Sequence, residues 1–83
     1  MNIEVQVLEL LDGVLSLDGR AARFTRGTAL LGAVPELDSM AVVGLITGIE
    51  ERFGITIDDD EIDGATFLTV GSLVDFVTGK LSA

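Results

Sequence analysis

The 83 residues contain no cysteine, histidine, tryptophan or tyrosine. Without cysteine and histidine there are no disulfides, thiolate nucleophiles, imidazole bases or customary zinc ligands. Any catalysis by this chain alone would have to run on carboxylates, so a non-enzyme is expected. Positive charge is scarce as well: 5 Lys/Arg stand against 14 Asp/Glu, giving a net charge of −9, and Lys80 is the single lysine. Such a field repels nucleic acid and anionic membrane surfaces and attracts proteins with basic patches. Long hydrophobic runs are also missing. The longest nearly apolar stretch, Met40 to Ile46, is far too short to span a bilayer. The start, Met1-Asn2-Ile3-Glu4, has neither the positive region nor the apolar segment of a signal peptide. A cytoplasmic monomer with no nucleic-acid partner and no stable membrane association is expected.

What is present argues for a folded globule. Hydrophobic residues make up 48% of the chain, too many for a disordered tail, and the length allows one domain over 1–83 with one core. Ile3, Val7, Leu10, Leu11, Val14 and Leu15 fall on one stripe of a 3.6-residue helix, with Glu9, Asp12 and Ser16 opposite. This predicts a first helix from Asn2, as its cap, to about Leu15, weakened near Gly13. Leu17 to Leu37 reads as a long connection broken by Gly19, Gly27, Gly32 and Pro35, which Phe24, Leu30 and Leu31 pin onto the core. Arg20, Arg23 and Arg26 in this connection balance an acidic domain.

Pro35 bars a helix upstream, Asp38 offers a capping acceptor, and Ser39 falls in the first turn of a helix reaching Phe53. The β-branched residues and Gly44 and Gly48 disfavour a helix by propensity, yet Val42, Leu45, Ile46, Ile49 and Phe53 recur at helical spacing. Gly54 supplies the terminator. A serine at such a helix start sits where free N–H groups and the dipole favour an attached anion, such as a phosphodiester. On its own, Asp-Ser before an apolar run is merely a cap. Gly44 and Gly48, four apart, have the form of a close helix contact of the membrane kind, but no lipid span accompanies them.

Asp58-Asp59-Asp60-Glu61 opens a short acidic turn or helix. Asp59, Glu61, Asp63 and Gly64 match positions one, three, five and six of a calcium loop, but position twelve is Val70 rather than glutamate, so no metal site is expected. Thr69 caps a last helix with Val70, Leu73, Val74, Val77 and Leu81 on its inner stripe and Phe76 at its edge. The fold class is all-α: a small four-helix bundle of three main helices and a short third one, with a long loop between helices one and two.

The run Glu36-Leu37-Asp38-Ser39-Met40-Ala41-Val42-Val43, continued by Leu45-Ile46 and Ile49-Glu50-Glu51-Arg52-Phe53-Gly54-Ile55, resembles the acyl carrier and peptidyl carrier protein family. The likeness extends through Asp58 to Glu61 and Thr69-Val70-Gly71-Ser72-Leu73, covering most of Leu30 to Leu81. It implies that Ser39, flanked by Asp38, bears a 4′-phosphopantetheine arm, added from coenzyme A by a phosphopantetheinyl transferase. The arm would hold acyl or aminoacyl groups as thioesters, loaded by a ligase or transferase and passed to downstream biosynthetic enzymes. With Met1 at its start and no linkers, the chain reads as free-standing. Counting 100° per residue, Met40, Ala41, Gly44, Thr47, Gly48 and Glu51 share the face opposite Val42, Leu45, Ile49 and Phe53, and are the expected partner-recognition residues. Carriers of fatty acid synthesis place acidic residues two and five positions after the serine. Ala41 and Gly44 stand there, which points to a specialised pathway. The rivals are a helical interaction module without a prosthetic group and, more weakly, a divalent-cation buffer using Asp58 to Glu61.

Overall fold

The computed structural model describes residues 2–82; Met1 and Ala83, the ends of the single-domain span expected above, lie outside the described residues. Asn2 opens the first helix as its capping chemistry requires, its Oδ1 accepting from the Val5 amide at 3.1 Å. Helix α1 runs Ile3–Leu15 and buries Val7, Leu11 and Leu15. Gly13 does not shorten it. Helix α2 spans Ser39–Phe53 and ends at Gly54, whose φ of 67° is the left-handed terminator. Helix α3 spans Val70–Ser82. Its start is closed reciprocally: Thr69 Oγ1 accepts from the Ser72 amide and Ser72 Oγ from the Thr69 amide, both at 3.1 Å.

The all-α expectation holds, with one refinement. The short third helix is two 3-10 turns, Asp59–Glu61 and Gly64–Phe67. Each has its own acidic cap, Asp58 with Glu61 and Asp63 with Thr66, and Asp59–Glu61 buries none of its residues. Adjacent carboxylates repel, and the apolar anchors of the segment, Ile62 and the buried Phe67, lie outside the first turn, so a continuous helix gains nothing here. Two carboxylates of the apparent calcium loop, Glu61 and Asp63, are engaged within the fold. Glu61 binds the Asp58 amide and Lys80, while Asp63 accepts from the Ala65 and Thr66 amides.

The core joins Val7, Leu11 and Leu15 of α1 to Leu45 and Ile49 of α2 and to Val70, Leu73, Val74 and Val77 of α3. The first loop belongs to it. Leu17, Ala21, Leu30 and Leu37 are buried, and Phe24 and Val34 pack on them. A radius of gyration of 11.5 Å matches the ~11.8 Å expected of a compact chain of this length, so the loop does not trail. Two expected core residues are instead exposed: Leu31 (42%), whose neighbour Leu30 takes the inward position, and Leu81 (36%), in the last turn of α3.

Backbone bonds lace the loop to the head of α3. The Leu30 and Leu31 amides donate to the Leu68 and Phe67 carbonyls, and the Val70 and Gly71 amides donate to Thr28 and Arg26. The last two are amides that no carbonyl inside α3 could reach, so the loop caps the helix. At the loop's other end Asp12 accepts from the Gly19 amide at 3.1 Å and the Ala21 amide at 3.2 Å. Of the loop arginines, Arg20 pairs with Glu36 and Arg26 with Asp75.

Candidate functional site

Three consecutive residues set up the start of α2. Leu37 is buried and anchors the chain. Asp38 is extended, and its Oδ1 accepts from the Ala41 amide at 2.8 Å, making it the cap the sequence called for. Ser39 follows as the first helical residue and is exposed to solvent. The amides of Ser39 and Met40 precede the first intrahelical hydrogen bond, and the first turn carries no acidic residue. A phosphodiester on Ser39 Oγ would meet free N–H groups and the positive end of the helix dipole. The geometry suits an anionic group attached through an accessible hydroxyl.

Upstream, the Arg20 guanidinium binds Glu36 and holds its carboxyl below the usual glutamate range. Downstream, Glu50 is turned inward, its Oε2 accepting from the Ile57 amide at 2.8 Å. Arg52 reaches back to Glu9 on α1 at 3.3 Å.

The six residues expected to form a recognition face separate in space. Met40 (78% exposed), Thr47 and Glu51 face solvent. Ala41 is half-buried against the core, and Gly44 and Gly48 lie against α1. A Cβ at position 44 would stand 3.4 Å from Val14 Cγ1, and one at position 48 would fall 2.8 Å from Leu10 Cδ1. The glycine pair is a close helix crossing inside this fold. The four-residue spacing serves a close contact between helices of a water-exposed bundle, with no membrane needed. The outward ridge includes a residue the sequence reading missed, Val43, 60% exposed. Its position one turn beyond Met40 was the available signal.

A family profile described as the phosphopantetheine attachment site matches residues 36–77, about half of the chain, with Ser39 inside the match. Among curated relatives, acyl carrier protein AsbD of Bacillus anthracis is 44% identical over 41 residues, covering 49% of this chain and 45% of its own length. An acyl carrier protein of Beutenbergia cavernae is 34% identical over 44 residues, covering 53% of this chain and 51% of its own length. The alignments thus span about half the length of these relatives. The solution structure of the holo acyl carrier protein NE2163 of Nitrosomonas europaea superposes with a TM-score of 0.92 at 49% identity, covering 100% of both chains. A module without a prosthetic group does not fit these likenesses. The chain belongs to the acyl carrier protein family: a non-catalytic carrier whose prosthetic group is covalently attached phosphopantetheine.

Proposed function

We propose that Ser39 is the attachment point and that the chain serves a specialised biosynthetic pathway rather than housekeeping fatty acid synthesis. One observation supports the attachment above all: Ser39 is an exposed hydroxyl at the start of α2, directly after the Asp38 cap and inside the matched segment. The Ser39 hydroxyl attacks the phosphorus of coenzyme A that bears the pantetheine. The new Ser–O–P bond forms as the bond to adenosine 3′,5′-bisphosphate breaks, and the serine proton passes to the phosphopantetheinyl transferase. The attached arm supplies a thiol for acyl or aminoacyl thioesters. Asp38 fixes the helix start, and the first-turn amides offset the phosphodiester charge. A permissive transferase with fluorescent coenzyme A should label the wild type and leave Ser39→Ala dark; label on Ser39→Ala would place the arm elsewhere.

The surface beside Ser39 supports the pathway reading. Met40, Val43 and Thr47 present an uncharged ridge, and Glu51 enters only near its far end. At position 44 an acidic side chain would begin in contact with Val14. This ridge suits close apolar docking of a dedicated loading ligase or transferase better than long-range charge pairing. Side-by-side loading of the holo-protein decides it. Charging by fatty acid synthesis enzymes as fast as their own carrier would refute the specialised role and leave the carrier function intact.

A further inference from the structure

The two ends of the long first loop are clasped together close to Ser39. Arg20 Nε donates to the Leu17 carbonyl at 3.1 Å, and the same guanidinium donates to Glu36 Oε2. Leu17 is wholly buried, so its carbonyl gives the exposed Arg20 side chain a fixed point, and Glu36 lies three residues before Ser39. The other carboxylate oxygen, Glu36 Oε1, is shut off from solvent and has no hydrogen-bond partner among the described residues. Arg20 is therefore the side chain that keeps this carboxylate in place. Without it, the carboxylate, whose side chain is 34% exposed, would keep Oε1 out of water and lose the guanidinium that pairs Oε2, an arrangement relieved by swinging Glu36 outward. The Glu36 carbonyl accepts from the Asp38 amide at 3.1 Å and Pro35 fixes the preceding φ, so a shift of the Glu36 backbone that accompanies this movement is felt at Asp38, beside Ser39.

We propose that Arg20 is a positioning residue for phosphopantetheinylation: through Glu36 it holds the Pro35–Asp38 approach in the form that presents Ser39 to the transferase. The inference rests on the attachment reading above. Modification requires the hydroxyl to be delivered in a narrow geometry, so a displaced approach slows transfer even when the bundle is intact.

The test uses the full apo chain, coenzyme A and a phosphopantetheinyl transferase, with steady-state kinetics and thermal midpoints measured for each variant. Arg20→Met should lower kcat/KM about fivefold, the upper range for a partly exposed ion pair, mainly through kcat and with little change in midpoint. Arg20→Lys should recover part of the loss. The double variant Arg20→Met/Glu36→Met should be modified faster than Arg20→Met alone, because no carboxylate is left stranded. Arg26→Met, which breaks the 2.7 Å pair with Asp75 in the same loop, should be modified at the wild-type rate. The proposal is overturned if Arg20→Met is modified like the wild type, if the double variant is no faster, or if Arg26→Met loses as much. Failure to modify the wild type would overturn the attachment reading and this inference together.

Discussion

Gly71, in the first turn of α3, donates its amide to the Arg26 carbonyl at 2.8 Å, and a Cβ on Gly71 would stand 2.9 Å from that same oxygen. Glycine is required here by the closeness of another backbone, since the contact that caps α3 leaves no room for a side chain. Gly71→Ala should therefore destabilise the fold by about 2 kcal/mol, as overpacking against backbone does. Gly79 is the contrast: it lies in the same helix with open space around its Cβ position. Gly79→Ala should stabilise by about 0.5–1 kcal/mol through helix propensity. Urea midpoints of the two variants check both signs; a stabilised Gly71→Ala would contradict the close approach.

The division of labour between Asp38 and Ser39 is separable by mutation. Asp38 carries the cap, and Ser39 is exposed, its hydroxyl without a hydrogen-bond partner among the described residues. Asp38→Ala should cost about 1 kcal/mol, whereas Ser39→Ala should leave stability almost unchanged. Equal losses in the two variants, measured by chemical denaturation, would mean that the serine is part of the cap.

Acid should weaken the clasp between the acidic turn and α3. Lys80 binds both oxygens of Glu61, at 2.7 and 3.0 Å, and this ion pair, helped by the Asp58 amide, holds the Glu61 carboxyl below its usual range. A depressed carboxylate stabilises the fold above its unfolded value, ~4.3, and that contribution disappears as pH falls through the lower folded value. Glu61→Gln imitates the protonated state. Its thermal midpoint should lie below the wild type at neutral pH, with the gap closing as pH falls below ~4.3. A gap that widens in acid would reverse the assigned sign.

Docking on the α2 ridge should depend on shape more than on charge. Val43→Asp, one turn beyond Met40, should slow loading by the dedicated partner at least about tenfold, because it puts a charge at the centre of an apolar contact. Wild-type loading should vary little with salt. Steep loss of the wild-type rate between low and physiological salt would show that charge pairing dominates.

Much of this was legible in the sequence because the signals are local. Asn2, Asp38, Thr69 and Gly54 mark helix ends by their own chemistry, and each performs that role in the structure. Other features depend on distant partners that no periodicity encodes. Asp12 was placed on an outer stripe, yet it organises the Gly19 and Ala21 amides of the loop. Glu50, one of two adjacent glutamates near the end of α2, serves the Ile57 amide, a partner its own position does not announce. Gly44 and Gly48 fall on the outer face of α2 by a helical wheel, which takes no account of residue size, whereas their smallness lets α1 come near. The acidic turns were foreseen as one short helix because composition does not distinguish two 3-10 turns from one α-turn.

Ser39 as the attachment residue is the claim on which loading and partner choice depend, and intact mass tests it most directly. The full apo chain is incubated with coenzyme A, magnesium and a permissive phosphopantetheinyl transferase, beside Ser39→Ala. The account predicts a gain of one phosphopantetheinyl group on the wild type and none on Ser39→Ala. The same gain on Ser39→Ala, or no gain on a folded wild type, would contradict it.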